Sequence, residues 1–101
     1  MNNIDEVLYI NSLLDIYKNL LTENQKRVME MYYVYNLSLS EIGEELSISR
    51  AAVNDTIKKS INSLKKYENS LNLMQKRAKL QELCEKIEGN EDVILEIKEV
   101  L

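Results

Sequence analysis

Residues 38–59 read SLSEIGEELSISRAAVNDTIKK and predict two short helices joined by a tight corner. Ser38 and Glu41 have the spacing of a capping box, in which each side chain satisfies a backbone amide at the start of a helix. The first helix is therefore predicted over residues 39–46. Ser49 can cap the second helix, which would begin at the next residue and continue beyond this stretch.

Two residues of the stretch indicate how the corner packs. Gly43 lies next to the inward-facing Ile42, where the missing side chain would let another helix approach closely. Ile48 is the apolar residue of the corner, and we expect it to be buried there as a plug. Together these features predict a rigid helical corner.

Beyond this stretch, residues 1–101 are predicted to form a single all-α domain. The chain has 101 residues, 45% of them apolar, which is enough for one small core. It has no proline and two glycines, and apolar and polar residues do not alternate over any sustained stretch, so strands are not expected. Residues 38–66 would form a helix-turn-helix unit, and residues 67–101 a long C-terminal helical extension.

Two further helices are predicted before the corner. Apolar residues at spacings of three and four indicate a first helix over residues 4–21. Thr22 and Gln25 form a second capping box, which begins a helix over residues 23–35. Asn36 is a plausible end for that helix, because asparagine tolerates the left-handed conformation that closes helices.

The helix that follows the corner has no clear end in the sequence. It could continue toward Lys86, or it could break within residues 69–75, where the apolar pattern changes phase. Gly89 and Asn90 are a firm break, and Asn90 could cap the next helix. A final helix over residues 91–101 would bury Val93, Ile94, Ile97 and Val100 or Leu101.

The C-terminal extension is too apolar to stand free in water. Its apolar stripes would pack on the N-terminal helices or on another copy of the chain, and a long apolar seam favours a homodimer to which residues 60–101 contribute. Cys84 lies within one stripe and is predicted to be a buried apolar residue rather than a reactive thiol. As the only cysteine, it excludes an intrachain disulfide.

Charge is distributed unevenly along the chain. The net charge is −4, which by itself disfavours nucleic acid as a partner. Residues 49–66, however, carry five basic residues against the single acid Asp55, whereas residues 67–101 carry five basic and eight acidic residues. This distribution is expected if one helix face meets phosphates, although a solvated helix face with scattered lysines is the alternative.

Helix geometry defines the face that would meet nucleic acid. If Val53, Ile57 and Leu64 point inward, small and amide side chains near the start of the helix can reach base edges, and the cations can reach phosphates. The acid within the face would need to pair with a neighbouring lysine or accept from a cytosine amine. The candidate nucleic-acid-binding residues are Arg50, Ala51, Asn54, Asp55, Lys58, Lys59 and Lys65.

No catalytic, metal-binding or cofactor-binding site is predicted. The chain has no histidine, no paired cysteines and no glycine-rich phosphate loop, so an enzyme is not expected. No apolar run approaches the roughly 20 residues that span a bilayer, and the first six residues lack the basic start of a signal peptide. We therefore expect a cytoplasmic protein without a membrane partner.

Two resemblances extend this interpretation. Residues 39–65 resemble region 4 of bacterial sigma factors without a gap, and that region reads promoter DNA with a similar helix-turn-helix. Most of the chain resembles the YlxM-like proteins, a family of small bacterial helix-turn-helix proteins. The matching motifs are LLTENQ at 20–25, MEMYY at 29–33, LSLSEI at 37–42, SRAAVND at 49–55 and LKKYE at 64–68.

The resemblance implies a DNA-binding regulatory protein with a role in the signal recognition particle pathway, because genes of this family tend to neighbour those of the particle's GTPases. Particle components would then be partners. By analogy with sigma region 4, Arg50, Ala51, Asn54, Asp55 and Lys58 would face the nucleic acid. The alternatives are a protein- or RNA-binding adaptor of the targeting pathway without sequence-specific DNA binding, and a structural helical dimer with a vestigial motif.

Overall fold

The computed structural model describes residues 3–87 and 89–101. Within them the chain is all-α, without a strand, as the sequence predicts. A short 3₁₀ turn, Lys18–Leu20, follows the first helix. The α-helices are α1 (Ile4–Tyr17), α2 (Glu23–Tyr33), α3 (Leu39–Leu46), α4 (Arg50–Leu71), α5 (Leu73–Glu85) and α6 (Glu91–Val100).

The N-terminal helices begin where the sequence predicts and end earlier. The hydroxyl of Thr22 accepts from the amide of Gln25 at 3.1 Å, and the Gln25 side chain accepts from the Thr22 amide at 3.2 Å, which confirms the capping box. Helix α2 ends two residues before the predicted boundary, and Asn36 has the expected left-handed backbone with φ of 56°. The 3₁₀ turn occupies most of the predicted last turn of α1.

One apolar core holds the first four helices together. Helix α4 is the longest and packs against α1, α2 and α3. Its inner side carries Val53, Ile57 and Leu64, all buried, as predicted. They meet buried side chains from the other helices, among them Ile10, Leu13, Tyr17, Val28, Met29 and Ile42.

The structure decides between the two predicted courses of the fourth helix. Helix α4 ends at Leu71, and the next residue, Asn72, has a left-handed backbone with φ of 54°. The buried carboxylate of Glu68 accepts from the amides of Met74 at 3.0 Å and Gln75 at 3.3 Å, and from the hydroxyl of Tyr17 at 2.7 Å. Glu68 therefore caps α5 from the preceding helix and holds the break against α1.

Helices α5 and α6 form an antiparallel hairpin beside α1. Arg77, in the first half of α5, forms an ion pair with Asp15 of α1 at 2.7 Å and donates to the backbone carbonyl of Leu101 after α6. The end of α6 thus lies near the start of α5. Cys84 is buried, as predicted.

The expectation that α6 buries an apolar side is only partly correct. Ile94, Ile97 and Leu101 are half-buried, whereas Val93 and Val100 are exposed, and no residue of α6 is fully buried. The reason is that its principal neighbour is a single helix, α5, which covers one side. The Asn90 side chain makes no capping hydrogen bond, contrary to the prediction.

The described part of the chain is elongated, with extents of 55 × 25 × 25 Å. Across residues 3–87 and 89–101, none of the helices has both the length and the apolar character required to cross a bilayer.

Candidate nucleic-acid interface

The corner between α3 and α4 is closed by backbone contacts. Ser47 has a left-handed backbone with φ of 57°, and the amide of Ile48 donates to the carbonyl of Gly43 at 2.9 Å. The hydroxyl of Ser49 then accepts from the amide of Ala52 at 3.0 Å and caps α4, as predicted. Hydrogen bonds therefore fix both the end of α3 and the start of α4.

The missing side chain of Gly43 makes room for the backbone of the corner, whereas we expected it to make room for another helix. A Cβ atom at this position would lie 2.8 Å from the backbone oxygen of Ile48, closer than real contacts allow. The side chain of Ile48 is not the buried plug that we expected, because it is 38% exposed. The backbone at this position, not the side chain, fills the space beside the glycine.

The start of α3 confirms its predicted capping box. The hydroxyl of Ser38 accepts from the amide of Glu41 at 3.0 Å, and the Glu41 carboxylate accepts from the Ser38 amide at 2.9 Å. Hydrogen bonds from the backbone amide and then from the hydroxyl of Ser38 lower the pKa of the Glu41 carboxyl below its usual value. This charged cap holds the first turn of α3, which supports the corner.

Helix α4 turns one side to the core and the other to solvent. The inner side includes Ser60, whose hydroxyl donates to the carbonyl of Thr56 at 2.7 Å, so that burial leaves it satisfied. Of the candidate residues, Asn54 is half-buried between the two sides. The other candidates are exposed: Arg50, Ala51, Asp55, Lys58, Lys59 and Lys65.

The candidates at the start of α4 share one shallow depression. Arg50, Ala51 and Asn54 line it together with Leu39, the first residue of α3. Lys65 is not part of this group, because it lies eleven residues beyond Asn54, about 16 Å farther along the helix.

A second groove runs beside the depression. Asn54 and Lys58 line it with Leu39, Tyr32 and Glu6, among others. Sequence reasoning missed the last three residues, because they belong to other helices and only the packing of α1, α2 and α3 on α4 brings them here. Glu6 places an acid in the same groove as Lys58.

Ion pairing sorts the cations of α4 into two groups. Lys59 pairs with Asp55 at 3.0 Å, and both side chains are more than half exposed. This pair neutralises the acid within the face, which was one of the two predicted arrangements, although an exposed pair contributes little to stability. Within residues 3–87 and 89–101, Arg50, Lys58 and Lys65 have no ion pair, so their charges remain available.

The same described residues hold no group of histidine, cysteine and acidic side chains suited to a metal ion.

Comparisons with known proteins extend over most of the chain. The family model described as UPF0122, helix-turn-helix protein, YlxM / p13 like, matches residues 4–100. A UPF0122 protein of Bacillus thuringiensis is 40% identical over 102 residues, covering 97% of this chain and 93% of the relative. One of Mycoplasma capricolum is 41% identical over 104 residues, covering 99% and 92%, and one of Clostridium kluyveri is 46% identical over 79 residues, covering 78% and 71%. The resemblance to YlxM-like proteins is thereby confirmed.

Proposed function

We propose that this protein, which belongs to the UPF0122 family of YlxM/p13-like helix-turn-helix proteins, is a regulatory protein that binds duplex DNA through the exposed face of α4. The observation that carries the proposal is the exposed start of α4 at a rigid corner, with unpaired cations beside it. Residues 38–66 would be the DNA-binding unit, used in the manner of region 4 of sigma factors, and residues 67–101 the dimerisation extension.

Each residue of the face has a physical role in this proposal. Ala51 and Asn54 lie in the first turns, where a helix in the major groove brings short and amide side chains to base edges. Arg50 lies beside the helix N-terminus, which itself attracts a phosphate. Lys58 and Lys65 lie farther along, where the helix would leave the bases and cross the phosphate backbone.

The charge available to one chain supports only weak binding. Among the candidate residues three cations have no ion pair, and Lys59 is neutralised by Asp55. So few phosphate contacts place the dissociation constant for non-specific DNA at about 10⁻⁴ to 10⁻⁶ M, with strong salt dependence. A homodimer would present two such faces and make the second contact intramolecular. The proposed function therefore includes a dimer.

A salt titration of duplex binding tests the proposal. In the double variant Arg50→Ala/Lys58→Ala, two of the cations that would neutralise phosphates are absent from each chain. The slope of log K against log salt should fall in magnitude by about 0.9 for each phosphate that is no longer neutralised. The matched control is Arg27→Ala/Lys98→Ala, which removes the same two residue types from exposed positions on α2 and α6. Equal slopes for the two double variants would contradict the assignment of α4 as the DNA-binding helix.

A second candidate is a protein- or RNA-binding adaptor in the signal recognition particle pathway, where the family resemblance suggests a role. The observation that favours the protein-binding form is the excess of acidic over basic residues in 67–101, eight against five, with Glu85, Glu96 and Glu99 exposed, because acidic side chains attract a basic protein partner. Capture of partners from lysate, with and without nuclease, separates the two. Protein partners that survive nuclease treatment, with no duplex binding by the purified protein, would favour the adaptor.

A further inference from the structure

The C-terminal hairpin carries a band of exposed apolar side chains. On α5, Leu73, Leu80 and Leu83 are 43–44% exposed, and Ile87 just after the helix is 45% exposed. Spacings of seven and three residues place the three leucines on one side of the helix. On α6, Val93 and Val100 are also seven residues apart and are still more exposed.

The two sets lie on the same side of the hairpin. Met74 and Arg77 turn toward α1 and the end of α6, because Met74 packs on the core and Arg77 contacts both Asp15 and Leu101. At about 100° per residue, Leu83 lies opposite Met74, and Leu73 and Leu80 lie about 100° and 120° from it, on the flank of the helix. Helix α6 runs antiparallel with its half-buried isoleucines turned to α5, which directs Val93 and Val100 to the same side as the leucines. We name this surface the hairpin face: Leu73, Leu80, Leu83, Ile87, Val93 and Val100.

The hairpin face has a basic edge and an acidic edge. Lys79 and Lys86 border it on α5, on the side away from α6, and Glu96 borders it on α6. The carboxylate of Glu82 lies 4.0 Å from Lys79 and 3.2 Å from Lys86, so these three side chains leave the α5 edge with a net charge of +1. Because Leu101 lies beside Arg77 and α6 runs back along α5, Glu96 lies level with the stretch between the two lysines. Lys76 lies within the band, where its aliphatic stem can pack while the ammonium reaches solvent.

We propose that the hairpin face binds the hairpin face of a second copy of this chain, around a two-fold axis parallel to the helices. Helix α5 of one copy would lie against α6 of the other, giving an antiparallel four-helix bundle. This arrangement places Lys79 of each copy near the partner subunit's Glu96. A two-fold axis perpendicular to the helices would instead place α5 on α5 and set lysines against lysines, which is unfavourable.

The size of the surface sets the strength of the contact. Helix α5 has 13 residues, so it is about 20 Å long, and a neighbouring helix adds about 8–10 Å of width. A flat face of about 20 × 20 Å amounts to about 400 Å² per copy and about 800 Å² in total, which is below the about 1,200 Å² of stable interfaces, so the dimer should be weak and should dissociate on dilution. The inference rests on the proposed function, for which the dimer supplies the second α4 helix, but its test requires no DNA.

Charge reversal at the two edges tests this arrangement, with molecular mass followed by sedimentation across a dilution series. Lys79→Glu and Glu96→Lys should each weaken the dimer at least tenfold, because each places like charges together twice. An equimolar mixture of the two variants should form a heterodimer, since both contacts are then attractive. A monomeric wild-type chain at high concentration, or no loss of dimer in Glu96→Lys, would overturn the proposal.

An apolar variant supplies the second test. Leu83→Asp should give a monomer, whereas the control Leu95→Asp, at an exposed leucine of α6 outside the hairpin face, should remain dimeric. Equal effects of the two substitutions would contradict the assigned face. A wild-type dimer that does not bind duplex DNA would contradict DNA binding by α4 and leave this inference standing. A monomer that binds DNA would contradict the dimer and leave DNA binding by α4 standing.

Discussion

Glu68 is a single residue on which the path of the whole chain depends. It lies on α4, is 5% exposed, and accepts from Tyr17 and from two amides of α5. Desolvation by burial raises the pKa of this carboxyl, but the hydrogen bonds from Tyr17 and the amides of Met74 and Gln75 outweigh it, so the pKa lies below its usual value. Burial and the same contact raise the pKa of the Tyr17 hydroxyl. The three hydrogen bonds that the carboxylate accepts therefore favour its charged form despite its burial.

Glu68→Gln should destabilise the protein by about 1–3 kcal/mol at neutral pH, because the amide nitrogen cannot accept from the donors that surround it. Urea unfolding followed by circular dichroism measures the change. Glu45→Gln, at an exposed position, is the matched control and should stay within about 0.5 kcal/mol of wild type.

The advantage of the wild type over Glu68→Gln should also depend on pH. A carboxyl whose folded-state pKa is lowered stabilises the fold above its unfolded pKa, near 4.5, and loses that contribution as pH falls through the folded value. The difference between the two proteins should therefore be constant from pH 7 to about 5 and shrink below it. A difference that does not change with acid would contradict an ionised Glu68.

At the scale of elements, the α3–α4 corner is determined by space as much as by hydrogen bonds. Residues of both helices meet at Gly43, where only a hydrogen atom fits against the carbonyl of Ile48. The corner fixes the direction in which α4 leaves, and therefore the direction in which Arg50 and Asn54 face. A change at the corner should affect both stability and DNA binding.

The substitution Gly43→Ala has two opposing effects on the stability of the fold. Alanine gains about 1 kcal/mol over glycine in a helix, but its Cβ would lie 2.8 Å from a backbone oxygen that cannot rotate away, and such overpacking costs about 1–3 kcal/mol. We expect a net loss of stability of about 1 kcal/mol together with weaker duplex binding. Thermal unfolding checks the first and fluorescence anisotropy the second. Glu44→Ala, at the exposed neighbouring position, is the control, and a Gly43→Ala protein as stable as that control would show that the corner can yield.

At the scale of the whole molecule, the two proposed interaction surfaces lie on different helices of a molecule whose longest extent is 55 Å. The α3–α4 corner carries the basic face, and the α5–α6 hairpin carries the apolar one. Asn72 connects α4 to α5, and the hydrogen bond from the Met74 amide to Glu68 fixes the angle between these two helices. In the proposed dimer, this angle determines how the two α4 helices are spaced on DNA.

Dimerisation and DNA binding should therefore be coupled. If Leu83→Asp gives a monomer, the slope of log K against log salt should fall to about half of the wild-type value, because one α4 face remains per binding unit. Leu95→Asp should keep the wild-type slope. Binding that is unchanged in the monomer would show that one face acts alone.

The helices and the outward residues of α4 could be predicted from the order of the amino acids alone. Both capping boxes, the cap at Ser49 and the left-handed Asn36 depend on hydrogen bonds and backbone preferences within three or four residues, so the local pattern contains them. The periodicity of Val53, Ile57 and Leu64 likewise identified the inner side of the helix. It also predicted the exposure of every candidate residue except Asn54, which is half-buried.

Packing between distant helices was needed to establish where the fourth helix ends and what surrounds the candidate site. The break depends on Tyr17 meeting Glu68, two residues 51 positions apart, and the groove at Asn54 depends on residues from α1, α2 and α3. The exposure of Val93 and Val100 depends on α6 having one principal neighbour. Such contacts arise between distant parts of the chain, and the local pattern that sets caps and periodicity does not contain them.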